Sequence, residues 1–401
     1  MSIDIARIRA HFPGLAEGTA HFDGPGGSQV PDVVGAAMAD AITSSISNRG
    51  SVTAAEKRAD AIVRATRAAV ADLLGAPAGG VVFGRSATQL CYDFSRTLAK
   101  SWSARDEVVV TRLDHDSNIR PWIQAAEHAG ATIRWVDFDK VTGELEPQDV
   151  AAVLSANTAL VAITGASNLL GTRPDIPAIA QLVHEAGALL YVDGVHLTPH
   201  ASVDFEALGA DIFTCSPYKF LGPHCAVLAA DPQLLDKLEP DKLLSSSNEV
   251  PERFEFGTLP YELMAGTTAA IDFLAGLDEA ASGSRRERLV ASMNALEEHE
   301  DALFNQLEGR LGAVPGVHLY GQAAHRTPTM LLSVDGRDSA ELYRFLATKG
   351  VNAPAGSFYA LEASRWLGLG DAGALRVGLA PYSNQDDIDR LVTGITEFAK
   401  S

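Results

Sequence analysis

The chain has 401 residues, too many for one small domain, and its 46% hydrophobic and 21% charged residues are the balance of a globular protein with a sizeable core. A formal net charge of −19 argues against non-specific binding to nucleic acid or to an anionic membrane, so a phosphate-bearing ligand has to be held by local donors against the overall field. Three cysteines supply neither a disulfide framework nor paired metal spacing, no apolar run reaches bilayer length, and "MSIDIARIRAHFPGL" lacks a secretory pattern; a cytoplasmic protein is expected, without a metal.

Two helical stretches come first, at 30–46 and 54–74, separated by "SNRGS". From about residue 80, short β-rich runs alternate with helical patterns: "VVF" (81–83), "EVVV" (107–110), "TIRWV" (132–136), "ALVAIT" (159–164), "ALLYVD" (188–193), "DIFTC" (211–215) and "CAVLAA" (225–230), with helix-length segments at 86–100 and 175–187. This alternation predicts an α/β fold, a mostly parallel seven-stranded sheet with helices on both faces. After residue 260 the pattern reads as a long helical region to about 311, with a long helix at 284–311. Strands near 316–320, 328–333 and 374–378 follow, with helices near 338–349 and 384–399. The expected division is a large domain, 1–283, including the N-terminal helical segment, and a smaller α+β C-terminal domain, 284–401, parted after "AASGSRR" (280–286).

In open α/β sheets, ligands sit beyond the carboxyl ends of the strands. There the chain places "GRSATQL" opening a helix, "TRLDHDSNIRPW" with His115 and Asn118, "GASNLLGT" with Asn168, then Asp193 ahead of "GVHLTPH", and "CSPYK" with Lys219. Each has an ordinary reading alone: an N-cap, a packing histidine, a turn asparagine, an Asp–Lys ion pair. Together they form the parts of a pyridoxal 5′-phosphate site. A helix N-terminus suits the phosphate, a carboxylate keeps the pyridine nitrogen protonated, and a lysine forms the Schiff base and shuttles the α-proton.

These stretches, with "HFDGPGGSQVP" (21–31), "FEFGT" (254–258) and "YSNQDDIDRLVTGI" (382–395), make the chain resemble class V aminotransferases, which are fold-type I pyridoxal phosphate enzymes, most closely the cysteine desulfurase branch. The resemblance implies a Schiff base at Lys219, Asp193 on the pyridine nitrogen and His115 stacked on the ring. It sets Asn168 and His196 near the phenolic oxygen; desulfurases usually carry glutamine at the latter position. Ala87, Thr88 and Ser216 are implied as the phosphate cradle. Tyr218 stands where a phosphate-binding histidine is usual. Thr258 would reach the phosphate of the neighbouring subunit, making a homodimer with shared sites, and Arg49 lies where partner residues enter. Arg376, in "ALRVGLAPY", aligns with the arginine that binds the carboxylate of an amino-acid substrate.

One piece departs. In "GVNAPAGSFYALEA" (350–363) the nucleophilic cysteine of desulfurases falls on Tyr359 and an arginine on Pro354, and no cysteine follows Cys225. A phenol with an ordinary pKa of about 10 is no substitute for a thiolate. Cys91, Cys215 and Cys225 read as packing residues. The reading is a pyridoxal phosphate enzyme acting on an α-amino acid by transamination, elimination or epimerisation, the last as in the isopenicillin N epimerase branch. The alternatives are a desulfurase or selenocysteine lyase with a displaced nucleophile, and a non-catalytic pyridoxal phosphate-binding partner protein.

Overall fold

A computed structural model describes residues 3–401. Among the described residues thirteen strands occur: β1 Ala20–His21, β2 Val81–Gly84, β3 Glu107–Thr111, β4 Thr132–Val136, β5 Thr158–Thr164, β6 Leu189–Asp193, β7 Ile212–Cys215, β8 Ala226–Ala230, β9 Val317–Tyr320, β10 Thr329–Val334, β11 Val351–Asn352, β12 Ala355–Gly356 and β13 Ala374–Gly378. The main sheet has seven strands in the order β2-β8-β7-β6-β5-β3-β4. Its members from β4 to β7 pair in parallel, while β8 runs antiparallel to β7 and β2. The central strands are apolar on both faces because helices cover both, which is why they read as continuous runs in sequence.

A four-stranded antiparallel sheet, β12-β13-β10-β9, forms the second layer, and β1 pairs with β11 in parallel. The helix Arg285–Gly312 serves both cores: Leu289, Met293 and Leu296 pack with the main sheet, Phe304, Leu307 and Leu311 with the smaller one. Ala20 and Phe22 from the N-terminal segment also belong to the smaller core, carrying the following Pro25–Gly26 to the site.

The helical region from 260 to 311 consists of two helices, Tyr261–Leu274 and Arg285–Gly312. The second begins at a capping box, in which Glu287 N donates to Ser284 Oγ (3.3 Å) and Ser284 N to Glu287 Oε2 (2.7 Å), so "AASGSRR" marks a helix start. Helix Ala54–Leu74 matches its predicted bounds for the same reason, with a Thr53/Glu56 box at one end and Gly75 left-handed at the other.

The segment "FEFGT" is anchored by a buried ion pair. Arg67 Nη1 and Nη2 donate to Glu255 Oε1 and Oε2 (2.9 Å each), and Phe83 N donates to Oε1 (3.0 Å). Glu255→Ala strands a buried guanidinium and a strand amide, and is expected to lower stability by about 3–5 kcal/mol, read from the denaturant midpoint. A loss under about 1 kcal/mol would show that water reaches Arg67. Among the described residues, no helix is long and apolar enough to cross a membrane.

Candidate active site

The site follows from strand register. Thr164 pairs with Asp193, and Asp193 with Thr214, so β5, β6 and β7 end level. Segments 165–168, 194–196 and 216–219 therefore leave the sheet side by side. Beyond β7 the chain turns at once into a 3-10 helix, Pro217–Lys219. Phe220 N donates to Pro217 O (2.9 Å), Gly222 N to the same oxygen (2.8 Å), and Leu221 is left-handed at φ 70°. Ser28 pins this corner: its N and Oγ donate to Tyr218 O (3.0 and 3.2 Å), and its Oγ accepts from Leu221 N (2.9 Å).

Lys219 is thus held at the sheet edge, only 7% exposed. Burial and the charge of Arg376 lower its pKa from 10.5 to about 7, against the opposing pull of Asp193. Asp193 itself is raised by burial and drawn back by Val195 N, which donates to its Oδ1 (2.9 Å), and by Lys219.

His115 is neutral. Ser117 N can only donate, and it meets Nδ1 at 3.1 Å, which leaves the ring proton on Nε2. Burial, with Lys219 and Arg376 nearby, pushes its pKa down to about 3. Asn118 turns inward instead: its Nδ2 donates to Asp114 Oδ1 (2.7 Å), and Trp122 Nε1 donates to its Oδ1 (2.9 Å). At the start of helix Ala87–Ala99, the Ser86 hydroxyl accepts from Gln89 N (3.1 Å), leaving Ala87 and Thr88 N–H as free donors of the first turn.

A cavity of about 740 Å³ is lined by Lys219, Tyr218, His115, Asn168, Thr88 and Arg376, among others. It continues into an inner pocket of about 70 Å³ walled also by Ala87, Asp193 and His196. Ser216 is buried and lines neither. Thr258 lies exposed on a bend outside both, and Arg49 is occupied by Asp60 and Glu252 (both 3.0 Å). Tyr218 lines the cavity with its ring stacked on His224 (5.1 Å between centroids).

Among the described residues, buried side-chain polar atoms without a partner are few, and Asn168 Oδ1, His196 Nδ1, Ser216 Oγ and Arg376 Nε are among them. Such atoms cost free energy unless something fills the site, so their concentration here points to a polar ligand. The other ends are well held. His196 Nε2 meets Thr329 Oγ1 (2.9 Å) and Thr327 Oγ1 (3.1 Å), Asn168 Nδ2 donates to Phe358 O (2.9 Å), and Arg376 Nη1 donates to Asn168 O (2.9 Å).

No cysteine lines either space. Cys225 Sγ lies 3.5 Å from Thr267 Oγ1 with its pKa pushed up by burial to about 11, and burial raises Cys91 and Cys215 as well. Tyr359 does line the cavity, 75% exposed, its ring 5.5 Å from that of His115. Sequence reasoning missed Ser28, Gly26, Tyr92 and Phe358. The glycine-rich "GPGGS" could have signalled the first two; nothing in the sequence marks the others.

A family model described as Aminotransferase class-V matches residues 20–391. The chain belongs to that family. An aminotransferase-like protein of Gibberella zeae is 31% identical over 98% of both chains. A probable cysteine desulfurase of Halalkalibacterium halodurans is 32% identical over 72% of this chain and 70% of its own. The solved apo structure of a cysteine desulfurase from Thermococcus onnurineus superposes with a TM-score of 0.90 at 22% identity, covering 100% of this chain and 99% of that one, a likeness of fold. Class V members are pyridoxal phosphate-dependent enzymes of amino acids, and this chain is one of them.

Proposed function

We propose that this class V enzyme holds pyridoxal 5′-phosphate at the strand ends of its main sheet and uses it for transamination, elimination or epimerisation of an α-amino acid. The observation that carries the reading is the convergence on one small pocket of a lysine with a pKa near 7 and the unpartnered atoms Asn168 Oδ1 and His196 Nδ1. When bound, the cofactor supplies an electron sink conjugated to the substrate's α-carbon.

The residues divide the remaining work. Lys219, lowered to a pKa of about 7, offers a large fraction of free amine at neutral pH, both to hold the cofactor covalently and to carry the α-proton. Asp193 would hold a proton on the ring nitrogen, and His115, neutral and lining the cavity, would limit tilt of the ring. Asn168 and His196 would hydrogen-bond the phenolic oxygen. The free amides of Ala87 and Thr88, with Ser216 and Tyr218, would receive the phosphate. Arg376 would take the substrate carboxylate. Residues 1–283 and 284–401 serve as large and small domains, the protein acts in the cytoplasm as a homodimer, and Thr258 of each subunit serves the other's site.

The desulfurase name carried by the Halalkalibacterium halodurans relative favours a second reading, sulfur abstraction onto a thiol. The burial of Cys91, Cys215 and Cys225 opposes it.

One experiment separates these readings: the cofactor-loaded protein is screened with amino acids for absorbance changes, and products are assayed as keto acid, ammonia, inverted enantiomer and sulfide. The variant lacking all three cysteines (C91A, C215A, C225A) is expected to keep its activity within about twofold, because small buried thiols tolerate alanine. Cysteine-dependent sulfide release that vanishes in this variant would establish desulfuration. A protein whose absorbance no amino acid changes would be a binding protein.

A further inference from the structure

Phe358 and Tyr359 are both left-handed, at φ 53° and 58°. Two consecutive side-chain-bearing residues in this region are disfavoured and need an external hold. They have one: Asn168 Nδ2 donates to Phe358 O (2.9 Å) and Asp116 N to Tyr359 O (2.7 Å), both from loops of the main sheet. The consequence is the aim of the Phe358 ring, whose centroid lies 3.7 Å from Arg376 Cζ. A guanidinium at that distance is attracted by the ring face and held parallel to it, more so when water is excluded, and Arg376 is only 3% exposed.

The other contacts of Arg376 decide which of its edges is left. Nη1 is spent on Asn168 O (2.9 Å). Nε is buried without a partner. Nη2 has no hydrogen bond among the described residues and lies beside Gly26, where a Cβ would come within 3.3 Å of it. Nε–H and Nη2–H run parallel along one edge of the planar group, the fork that matches two carboxylate oxygens.

We propose that Phe358 is a positioning residue: its ring fixes the plane of Arg376 so that the Nε–Nη2 edge receives the carboxylate of the substrate, making loop 350–363 the arm of the carboxylate clamp. This rests on the reading of the chain as an amino-acid enzyme. A guanidinium free to swing would misplace both donors by more than a carboxylate pair tolerates. Asn168 ties the arm to the site, because the same residue lines the inner pocket, holds the Phe358 carbonyl through Nδ2 and accepts from Arg376 at its own carbonyl.

The test compares two carbonyl reagents that share one nucleophile. Aminooxyacetate bears a carboxylate and O-methylhydroxylamine does not, and each is reacted with the cofactor-loaded protein. The parent is expected to favour aminooxyacetate, and Arg376→Ala to set the floor of that preference. In Phe358→Ala the ratio of the two rates should fall about tenfold toward this floor. The O-methylhydroxylamine rate should stay unchanged. Phe358→Leu, which keeps bulk but loses the ring face, should fall in the same direction, and Phe358→Tyr should hold the parent ratio. An unchanged ratio in both Phe358→Ala and Phe358→Leu, or an equal loss of both rates, overturns the positioning role. A protein that reacts with neither reagent overturns instead the cofactor reading beneath it.

Discussion

Lys219→Ala is expected to lower turnover by at least about 10³-fold and to leave the cofactor removable by dialysis, its absorbance that of the free aldehyde. No other lysine lines either space, so no neighbouring amine can take over. Its environment also sets a pH dependence. With a pKa of about 7 in the cofactor-free protein, the side chain is an ammonium below that pH and a free amine above it. Covalent capture of added cofactor should therefore rise with pH through about 7 and then level off, where an ordinary surface lysine would still be climbing near pH 10. The same shift has a sign for stability. The folded state binds fewer protons than the unfolded chain between the two pKa values, so the burial penalty is fully present below about 7 and lifts as pH rises toward 10.5. Relative to Lys219→Met, which fills the same space without a charge, the cofactor-free parent should gain stability across that window. Capture that follows a pKa near 10 would mean that another lysine carries the cofactor.

What the sequence discloses here depends on how local the determinant is. The strands of the main sheet are legible because burial on both faces makes them continuous apolar runs, and Asp193 is legible because a carboxylate ending such a run demands an explanation. Lys219 announces itself by the proline and glycine around it. The two-residue strands β1 and β11 are too short for any periodicity to show, although they bring Phe22 into the smaller core and Pro25 to the cavity. Phe358 was invisible for another reason: its role depends on a left-handed backbone and on a hydrogen bond to a residue 190 positions away. His196 lay between, since its position after β6 could be read, but not Thr329 at the start of β10 and Thr327 just before it, which orient it. Ser216, expected at the phosphate, is buried with its Oγ unpartnered, while Tyr218 and Lys219 after it line the cavity.

Asp193→Asn should cost about 10²- to 10⁴-fold in turnover while leaving fold and cofactor binding in place. The amide is isosteric and can still accept from Val195 N, so the change removes charge and little else. Among the described residues lining the inner pocket, Asp193 is the one carboxylate. Asp114 is wholly buried and lines neither space: its carboxyl is held by Thr111 Oγ1 and Asn118 Nδ2, and burial pushes its pKa up. Asp114→Asn should accordingly stay within about threefold of the parent. If Asp193 acts by keeping a proton on the ring nitrogen, an N-methylated cofactor, whose ring carries a permanent positive charge, should restore much of the activity of Asp193→Asn. A carboxylate that only braced the loop at Val195 would leave Asp193→Asn close to the parent, because the amide keeps that bond, and the methylated cofactor would bring no gain. Rescue and its absence thus distinguish an electrostatic role for Asp193 from a structural one, in a protein whose fold is unchanged.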